Sequence, residues 1–321
     1  MNAVLGIDTS CYTTSMAVVD FDGNIIYNRQ VLLEVPPGER GLQQSRAVFQ
    51  HLKNLPGITC GLRRDKLPGV SIAAIGASTR PRPAEGSYMP VFMVSEWTGL
   101  MLSDLLNVPF YRVSHQENHI MAGLHTAGGP YRDAFLAIHL SGGTTELLAV
   151  EKRDSGFLLN IIGCTQDLHA GQFVDRIGVS LGLPFPAGPH LEQLANGADS
   201  SITLSSFISD LKIGFSGAET QAQRLLEAGC GKEELAAAVY DCLASTLCKW
   251  IMNASVQTGL KEVLLVGGVS SSGLLRSKLE LLLNRDNPGV HLFFADPSLS
   301  RDNAVGTAFL ALRSFMKENR L

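Results

Sequence analysis

Two histidines four residues apart, in His115-Gln116-Glu117-Asn118-His119, carry the sharpest chemical signal in the chain. On a helix that spacing puts both imidazoles on one face, where they can share a metal ion. A third ligand must come from elsewhere. Asp302, in Ser300-Arg301-Asp302-Asn303, is a candidate. The same residue also reads as an acid at the start of the last helix, favoured there by the helix dipole. A zincin-type protease is disfavoured. Its H-E-x-x-H motif sets Glu directly after the first His, within reach of the water on the metal. Glu117 instead follows His115 by two residues, which turns it roughly 200° round the helix.

Glycine-rich turns form the second chemical signal. Ser141-Gly142-Gly143-Thr144-Thr145 follows the apolar run Phe135 to Leu140. It reads as a phosphate cradle, with glycines removing bulk and hydroxyls adding donors, or as an ordinary tight turn. Gly267-Gly268-Val269-Ser270-Ser271-Ser272-Gly273 closes a strand and opens a helix. That position suits an adenosine or phosphate site, or simply close strand–helix packing. It is not a Walker A loop, because no Gly-Lys-Ser/Thr ends it. Asp175, in Phe173-Val174-Asp175-Arg176, is a candidate for binding ribose or Arg, or is a solvated helix acid. Gly188 lies in the turn Pro184-Phe185-Pro186-Ala187-Gly188-Pro189, a place for close backbone approach to a ligand.

The elements that must position these residues repeat. Val4 to Ile7, Met16 to Val19 and Ile25 to Val31 read as three strands joined by the turn Asp8 to Ser15 and by Asp22-Gly23. Phe135 to Leu140, Leu147 to Val150 and Phe157 to Ile162 repeat the pattern, with Ile7 matching Ile138, Ser10 matching Ser141, and Thr13-Thr14 matching Thr144-Thr145. Internal duplication is the reading, against chance similarity of two hairpins. Strand and helix patterns follow each copy, which predicts an α/β architecture of two lobes around a cleft. The lobes are expected at 1–130 and 131–321, with a helical insertion near 163–258. The last helix, 302–316, is expected to cross back to the first lobe.

The bulk numbers exclude some classes. With 321 residues and 45% apolar composition, the chain supports substantial cores and is not disordered. A net charge of −4 lacks the basic excess of a domain that binds nucleic acid alone. The cluster Arg63, Arg64, Lys66 and the pair Arg80, Arg82 are the only basic candidates, and each reads first as a solvated loop. Six scattered cysteines without C-x-x-C spacing predict reduced thiols in a cytoplasmic protein. No signal peptide and no membrane span are expected.

Together the motifs resemble the tRNA threonylcarbamoyladenosine synthase family (TsaD, once described as O-sialoglycoprotein endopeptidase or glycoprotease). The resemblance runs, in order, through Gly6-Ile7-Asp8-Thr9-Ser10-Cys11, His115-x-x-x-His119, Leu140-Ser141-Gly142-Gly143-Thr144-Thr145, Ala170-Gly171, Asp175, Pro186-Ala187-Gly188-Pro189, Phe215-Ser216-Gly217, Gly267-Gly268-Val269-Ser270 and Asp302-Asn303. It implies the duplicated actin/Hsp70-like (ASKHA) nucleotide-binding fold. The implied activity moves a threonylcarbamoyl group from an adenylate to N6 of adenosine 37 in tRNA. The resemblance makes His115, His119 and Asp302 ligands of one divalent metal, iron or zinc, with magnesium as an alternative. It places Leu140, Ser141, Gly142, Gly143, Thr144, Asp175, Gly188 and Ser272 around an adenine nucleotide or acyl-adenylate, where Gly268 joins them from its own glycine turn.

This chain departs from the pattern at several points. The family's S-C-D-E-T stands as Ser10-Cys11-Tyr12-Thr13-Thr14, without either carboxylate, and its S-G-G-H-T has lost the histidine to Thr144. The asparagine of G-G-V-S-A-N is Ser272, and a G-P-G-L segment is replaced by Arg80-Pro81-Arg82-Pro83-Ala84-Glu85-Gly86. The pattern is that of a divergent paralogue. Asp8 remains as the candidate for a general base. Three functions stay open: the group transferase, a non-catalytic scaffold or regulatory subunit, and a small-molecule kinase or carbamoyltransferase of the same fold. If tRNA is the substrate, partner subunits similar to TsaB and TsaE are expected to supply cationic surface, and a homo- or heterodimer is an open expectation.

Overall fold

The computed structural model describes residues 1–10, 12–36, 41–64 and 68–320; Cys11, Lys66 and the side chains of Arg63 and Arg64 lie outside that description. In chain order the first half holds β1 (Asn2–Asp8), β2 (Thr13–Asp20), β3 (Ile25–Leu32), α1 (Gln44–Arg64), β4 (Ser71–Arg80), α2 (Phe92–Leu106), β5 (Phe110–Ser114) and α3 (His115–Thr126). The second opens with β6 (Ala134–Leu140), β7 (Thr145–Arg153), β8 (Gly156–Thr165), α4 (Ala170–Ser180), α5 (Gly188–Ala195), β9 (Phe207–Ser209) and β10 (Lys212–Gly214). It continues with α6 (Ser216–Glu227), α7 (Lys232–Thr258), β11 (Glu262–Val266), α8 (Gly273–Asp286), β12 (His291–Phe294), α9 (Pro297–Ser300) and α10 (Val305–Asn319).

The duplication is visible in the hydrogen bonding. One sheet runs β3-β2-β1-β4-β5; the other contains β8-β7-β6-β11-β12 and extends through β10 and β9. In each, two antiparallel hairpins are followed by two strands added in parallel. The register repeats as well. Ile7 faces Met16 in the first sheet and Ile138 faces Leu147 in the second, the same offset along both strands. Asp8, which faces Ser15, is therefore equivalent to His139, which faces Glu146.

Both faces of each sheet are covered, so β1 and β6 are nearly continuous apolar runs rather than alternating ones. Leu5, Ile7 and Ile75 pack under Leu55 and Ile58 of α1 and Val94 of α2. Val4, Val19 and Ala74 on the opposite face pack against Ala308, Ala311 and Leu312 of α10. Leu136, Ile138 and Leu147 meet α4, α7 and α8, whereas Phe135, Ala137 and Leu148 meet Ile120 of α3. The last helix of each half thus lies on the sheet of the other half.

The two exchanged helices cross closely. A Cβ on Gly306 of α10 would stand 2.0 Å from the Asn118 carbonyl of α3, and one on Gly6 of β1 would stand 2.5 Å from the Ala304 carbonyl. Asn118 bolts the crossing: its amide nitrogen donates to the Asn303 carbonyl, and its oxygen accepts from the Thr307 amide at 2.8 Å.

Three features differ from the sequence expectation. Helix α1, which carries Pro56 within it, is not among the elements read from the sequence. α10 begins at Val305, so Asp302 sits in the bend before it and is not a first-turn helix acid. Finally, α7 is long and apolar enough to cross a membrane by length and composition, contrary to the expectation that no stretch would be. It is the central core helix, with Leu243, Leu247, Trp250 and Ile251 fully buried.

Candidate metal and nucleotide site

The imidazole pair is set by the start of α3. Ser114 caps it: the Ser114 hydroxyl accepts from the Glu117 amide at 3.2 Å, and the Glu117 carboxylate accepts from the Ser114 amide at 2.9 Å. This capping box fixes the first turn. It also occupies Glu117, which is therefore not placed to serve as the Glu of an H-E-x-x-H motif. His115 and His119 then share the buried face of α3.

The helix crossing brings Asp302 to them. His119 Nε2 lies 3.0 Å from His115 Nε2 and 3.2 Å from Asp302 Oδ1, and His115 Nε2 lies 3.5 Å from that same oxygen. Donors around one tetrahedral ion with bonds near 2.0–2.1 Å stand about 3.3 Å apart. The triad is thus spaced as ligands of a single ion, and two nitrogens with a carboxylate oxygen suit zinc or ferrous iron.

Asp8 stands behind His115. Its Oδ2 accepts from His115 Nδ1 at 3.0 Å and from Asn118 Nδ2 at 3.1 Å, and its Oδ1 accepts from the Ser10 amide at 2.9 Å and from the Ser10 hydroxyl. An acceptor at Nδ1 holds a proton there, so Nε2, which faces the triad, is the nitrogen on which a metal ion would take the place of a proton. Burial opposes charge at this site, yet it is outweighed. Asp8 is held below the usual carboxylate range by His115, and Asp302 is pushed far below it by His115 and His119. Burial likewise opposes protonation of His115, but Asp8 and Asp302 raise it to about 10. For His119, burial and the neighbouring His115 lower the pKa.

The glycine turn follows β6 directly, two residues beyond His139, whose ring centroid stands 4.4 Å from that of His119. The Ser141 amide closes it onto the Thr144 carbonyl at 2.8 Å. Gly142, Gly143 and Gly268 are exposed, and a Cβ on any of them would meet nothing within 4 Å. Contacts inside the protein therefore leave room for a side chain at these three positions. The surrounding glycines are different. A Cβ on Gly171, in the first turn of α4, would stand 2.7 Å from Gly142, and one on Gly267 would stand 2.3 Å from the Leu140 carbonyl. Leu140 itself is buried core. The start of α4 is thereby packed against Ser141 and Gly142, and the residue that opens the Gly268–Ser271 turn against Leu140 and His139.

Asp175, Gly188 and Ser272 gather around a residue that sequence reasoning missed, Tyr240 of α7. Asp175 accepts from the Ala187 amide at 2.7 Å, fixing the turn before α5, and the Tyr240 hydroxyl donates to the Gly188 carbonyl at 3.1 Å. Ser272 caps α8 through the Leu275 amide at 3.2 Å. Burial raises both the Tyr240 phenol, to which the nearby Glu192 adds, and the Asp175 carboxyl. Gln116 and Glu146 were also missed, and Arg82, expected as a solvated loop cation, is tied to them. Arg82 pairs with the buried Glu146, to which Gln116 Nε2 also donates at 2.6 Å, so the loop after β4 is tied to β7. No spacing pattern flags the contact among these three.

The model of the tRNA N6-adenosine threonylcarbamoyltransferase family, TsaD, matches residues 50–309. The chain belongs to that family. Two tRNA N6-adenosine threonylcarbamoyltransferases, from two strains of Thermus thermophilus, are each 32% identical to it over 97% of its length, covering 92% and 91% of their own. These TsaD relatives are threonylcarbamoyltransferases, which supports an acyltransferase of the TsaD type. Solved structures share the fold at low identity. HypF from T. kodakarensis superposes with a TM-score of 0.63 at 14% identity, over 98% of this chain and 48% of HypF. An activator of 2-hydroxyisocaproyl-CoA dehydratase from Clostridium difficile, solved with ADPNP, gives 0.57 at 15% identity over 99% and 97%. These neighbours give the chain the actin/Hsp70-like fold.

Proposed function

We propose that this TsaD-family protein transfers a threonylcarbamoyl group from its adenylate to N6 of adenosine 37 in tRNA, with one divalent ion held by His115, His119 and Asp302. The observation that carries the reading is the convergence of those three ligand atoms within 3.5 Å at the crossing of α3 and α10. The ion would supply Lewis-acid polarisation and a template for the donor's oxygens. Asp8 orients His115 and, with all its oxygens engaged, acts as a positioning residue rather than as the general base. The exposed backbone of Gly142, Gly143 and Gly268 binds the phosphate, with the Ser141 and Thr144 side chains flanking it and the α4 N-terminus nearby. Asp175, Gly188 and Ser272 shape the nucleoside pocket around Tyr240. Holding donor and acceptor together supplies much of the rate. Subunits similar to TsaB and TsaE would add the cationic surface that a chain of net charge −4 lacks, in the cytoplasm where tRNA is modified.

A second reading keeps the chemistry and changes the acceptor to a small molecule. Tyr12 and Thr13 stand where the family's acid pair is expected, and the Tyr12 ring packs edge-on against Phe185, centroids 6.1 Å apart. An aromatic contact between the two halves thus replaces carboxylates.

The test supplies threonylcarbamoyl-adenylate and unmodified tRNA to the metal-loaded protein, with and without partner subunits, and measures modified nucleoside by mass spectrometry. Wild type forms product. His115→Ala and His119→Ala lose bound metal and product together. Metal content unchanged in both variants would overturn the ligand assignment, and donor consumption without tRNA product would favour the second reading.

A further inference from the structure

A buried carboxylate on one side of the cleft takes its partners from the other. Glu146 of β7 is 3% exposed. Its Oε1 pairs with the Arg82 guanidinium, and its Oε2 accepts from Gln116 Nε2 at 2.6 Å. Among the described residues both side-chain partners belong to the first half of the chain, Arg82 after β4 and Gln116 in the first turn of α3. The duplicate position behaves differently. Glu146 in the second sheet is equivalent to Ser15 in the first, and the Ser15 hydroxyl donates to the Asp8 carbonyl at 3.0 Å, inside its own hairpin. A buried charge stripped of one partner is strongly unfavourable, so Glu146 draws the loop after β4 onto the second sheet.

That loop is stiff enough to move as a unit. Pro81 and Pro83 fix two of its φ angles. The Pro81 carbonyl accepts from the Gln116 amide at 3.1 Å, the Arg82 amide donates to Ser87 Oγ at 3.0 Å, and the Ser87 amide donates to the Ala84 carbonyl at 3.2 Å. Its contact with the second half lies at the rim of the glycine turn. Glu146 directly follows Thr145, whose Oγ1 accepts from the Ala170 amide at the start of α4 at 2.8 Å. Burial lowers the pKa of His169, one residue earlier, and the Arg82 charge lowers it further. The Arg82 side chain is 46% exposed against 4% for Glu146, so the pair joins a solvent-facing strap to a buried anchor.

We propose that the Arg82–Glu146 pair is a clasp, which holds residues 81–87 across the cleft and makes entry and exit of a nucleotide conditional on its release. The proposal rests on the nucleotide-site reading and adds a gate that the site residues do not supply. A clasp made within the protein holds equally with the cleft empty or filled. It therefore slows association and dissociation by the same factor and leaves the dissociation constant unchanged, whereas a residue that touches the ligand changes that constant.

Wild type, Arg82→Gln, Glu146→Gln and the double variant Arg82→Gln/Glu146→Gln test it. Amide hydrogen exchange is followed in the ligand-free protein, and binding of a fluorescent ADP analogue is followed by stopped flow. All three variants should exchange faster across residues 81–87, and both rate constants for the analogue should rise together by about tenfold, the factor that one charge-assisted hydrogen bond is worth, with Kd unchanged. Arg82→Gln leaves Glu146 buried and short of a partner, so it should melt below the double variant, in which no such charge remains. The double variant should nevertheless keep the fast rates, which a pair serving stability alone would not produce. Wild-type exchange across 81–87 in the double variant would overturn the proposal. A weaker Kd arising from faster dissociation alone would also overturn it, by making Arg82 a ligand contact. No binding of the analogue to wild type would remove the nucleotide site and with it the gated ligand, a failure separately readable because exchange is measured without ligand.

Discussion

Replacing Asp8 by Asn tests how the fold prepares the site, because it changes charge and one donor while preserving shape. In the native arrangement four donor groups converge on the carboxylate: the Ser10 amide at 2.9 Å, the Ser10 hydroxyl, His115 Nδ1 at 3.0 Å and Asn118 Nδ2 at 3.1 Å. An amide accepts on one side only. Turned so that its oxygen keeps His115 and Asn118, its NH2 faces the Ser10 N–H, which loses its partner at a cost of about 1–3 kcal/mol. The Ser10 hydroxyl can rotate to accept. The bond to His115 also loses its ionic character, roughly halving its strength. His115 is then less firmly held with Nε2 toward the triad. Outer-shell replacements of this kind weaken metal binding about 10–100-fold, equivalent to about 1.4–2.8 kcal/mol. Zinc competition against a chromogenic chelator would show Asp8→Asn binding one equivalent with that loss of affinity, while Asp302→Ala fails to retain the ion. If Asp8→Asn lowered thermal stability but left zinc affinity untouched, Asp8 would be a packing residue and the orienting argument would be wrong.

Other consequences are as direct. Gly142→Ala meets no steric obstacle, so its unfolding free energy should stay within about 0.5 kcal/mol of wild type, while adenine nucleotide affinity measured by calorimetry falls; unchanged affinity would take the turn out of the phosphate site. Gly306→Ala should destabilise by more than about 2 kcal/mol in urea unfolding, because the new methyl collides with the Asn118 carbonyl at the helix crossing. His51 is buried with Nδ1 on Thr14 Oγ1 at 2.9 Å, and burial lowers its pKa to about 4 despite Asp8 and Asp302. The unfolded chain binds that proton more readily. The stability tied to a neutral His51 is therefore complete above the ordinary value of 6.5 and is lost as pH falls toward 4. His51→Gln should flatten the fall in unfolding free energy between pH 7.5 and 5 by about 2 kcal/mol; an unchanged slope would show that another group titrates.

The one-dimensional pattern was enough to establish the duplication. Matched hairpins at a constant offset could be read because a strand buried on both faces must be apolar throughout, and a tight turn restricts residue type locally. The pair His115 and His119 was legible for a similar reason, since helical periodicity alone puts them on one face. Other parts depended on distant contacts. Asp302 reaches the imidazoles because α10 crosses α3 at Gly306 and Asn118, and that crossing comes from the exchange of terminal helices between sheets. The same exchange buries Asp8 behind His115 and converts it from an apparent cleft acid into a fully engaged acceptor. Arg82 with Glu146 and Tyr240 beside Gly188 have no local signature, because each is defined by its partner. Residue type and spacing are properties of a segment; ligand geometry and hydrogen-bond satisfaction are properties of the packed whole.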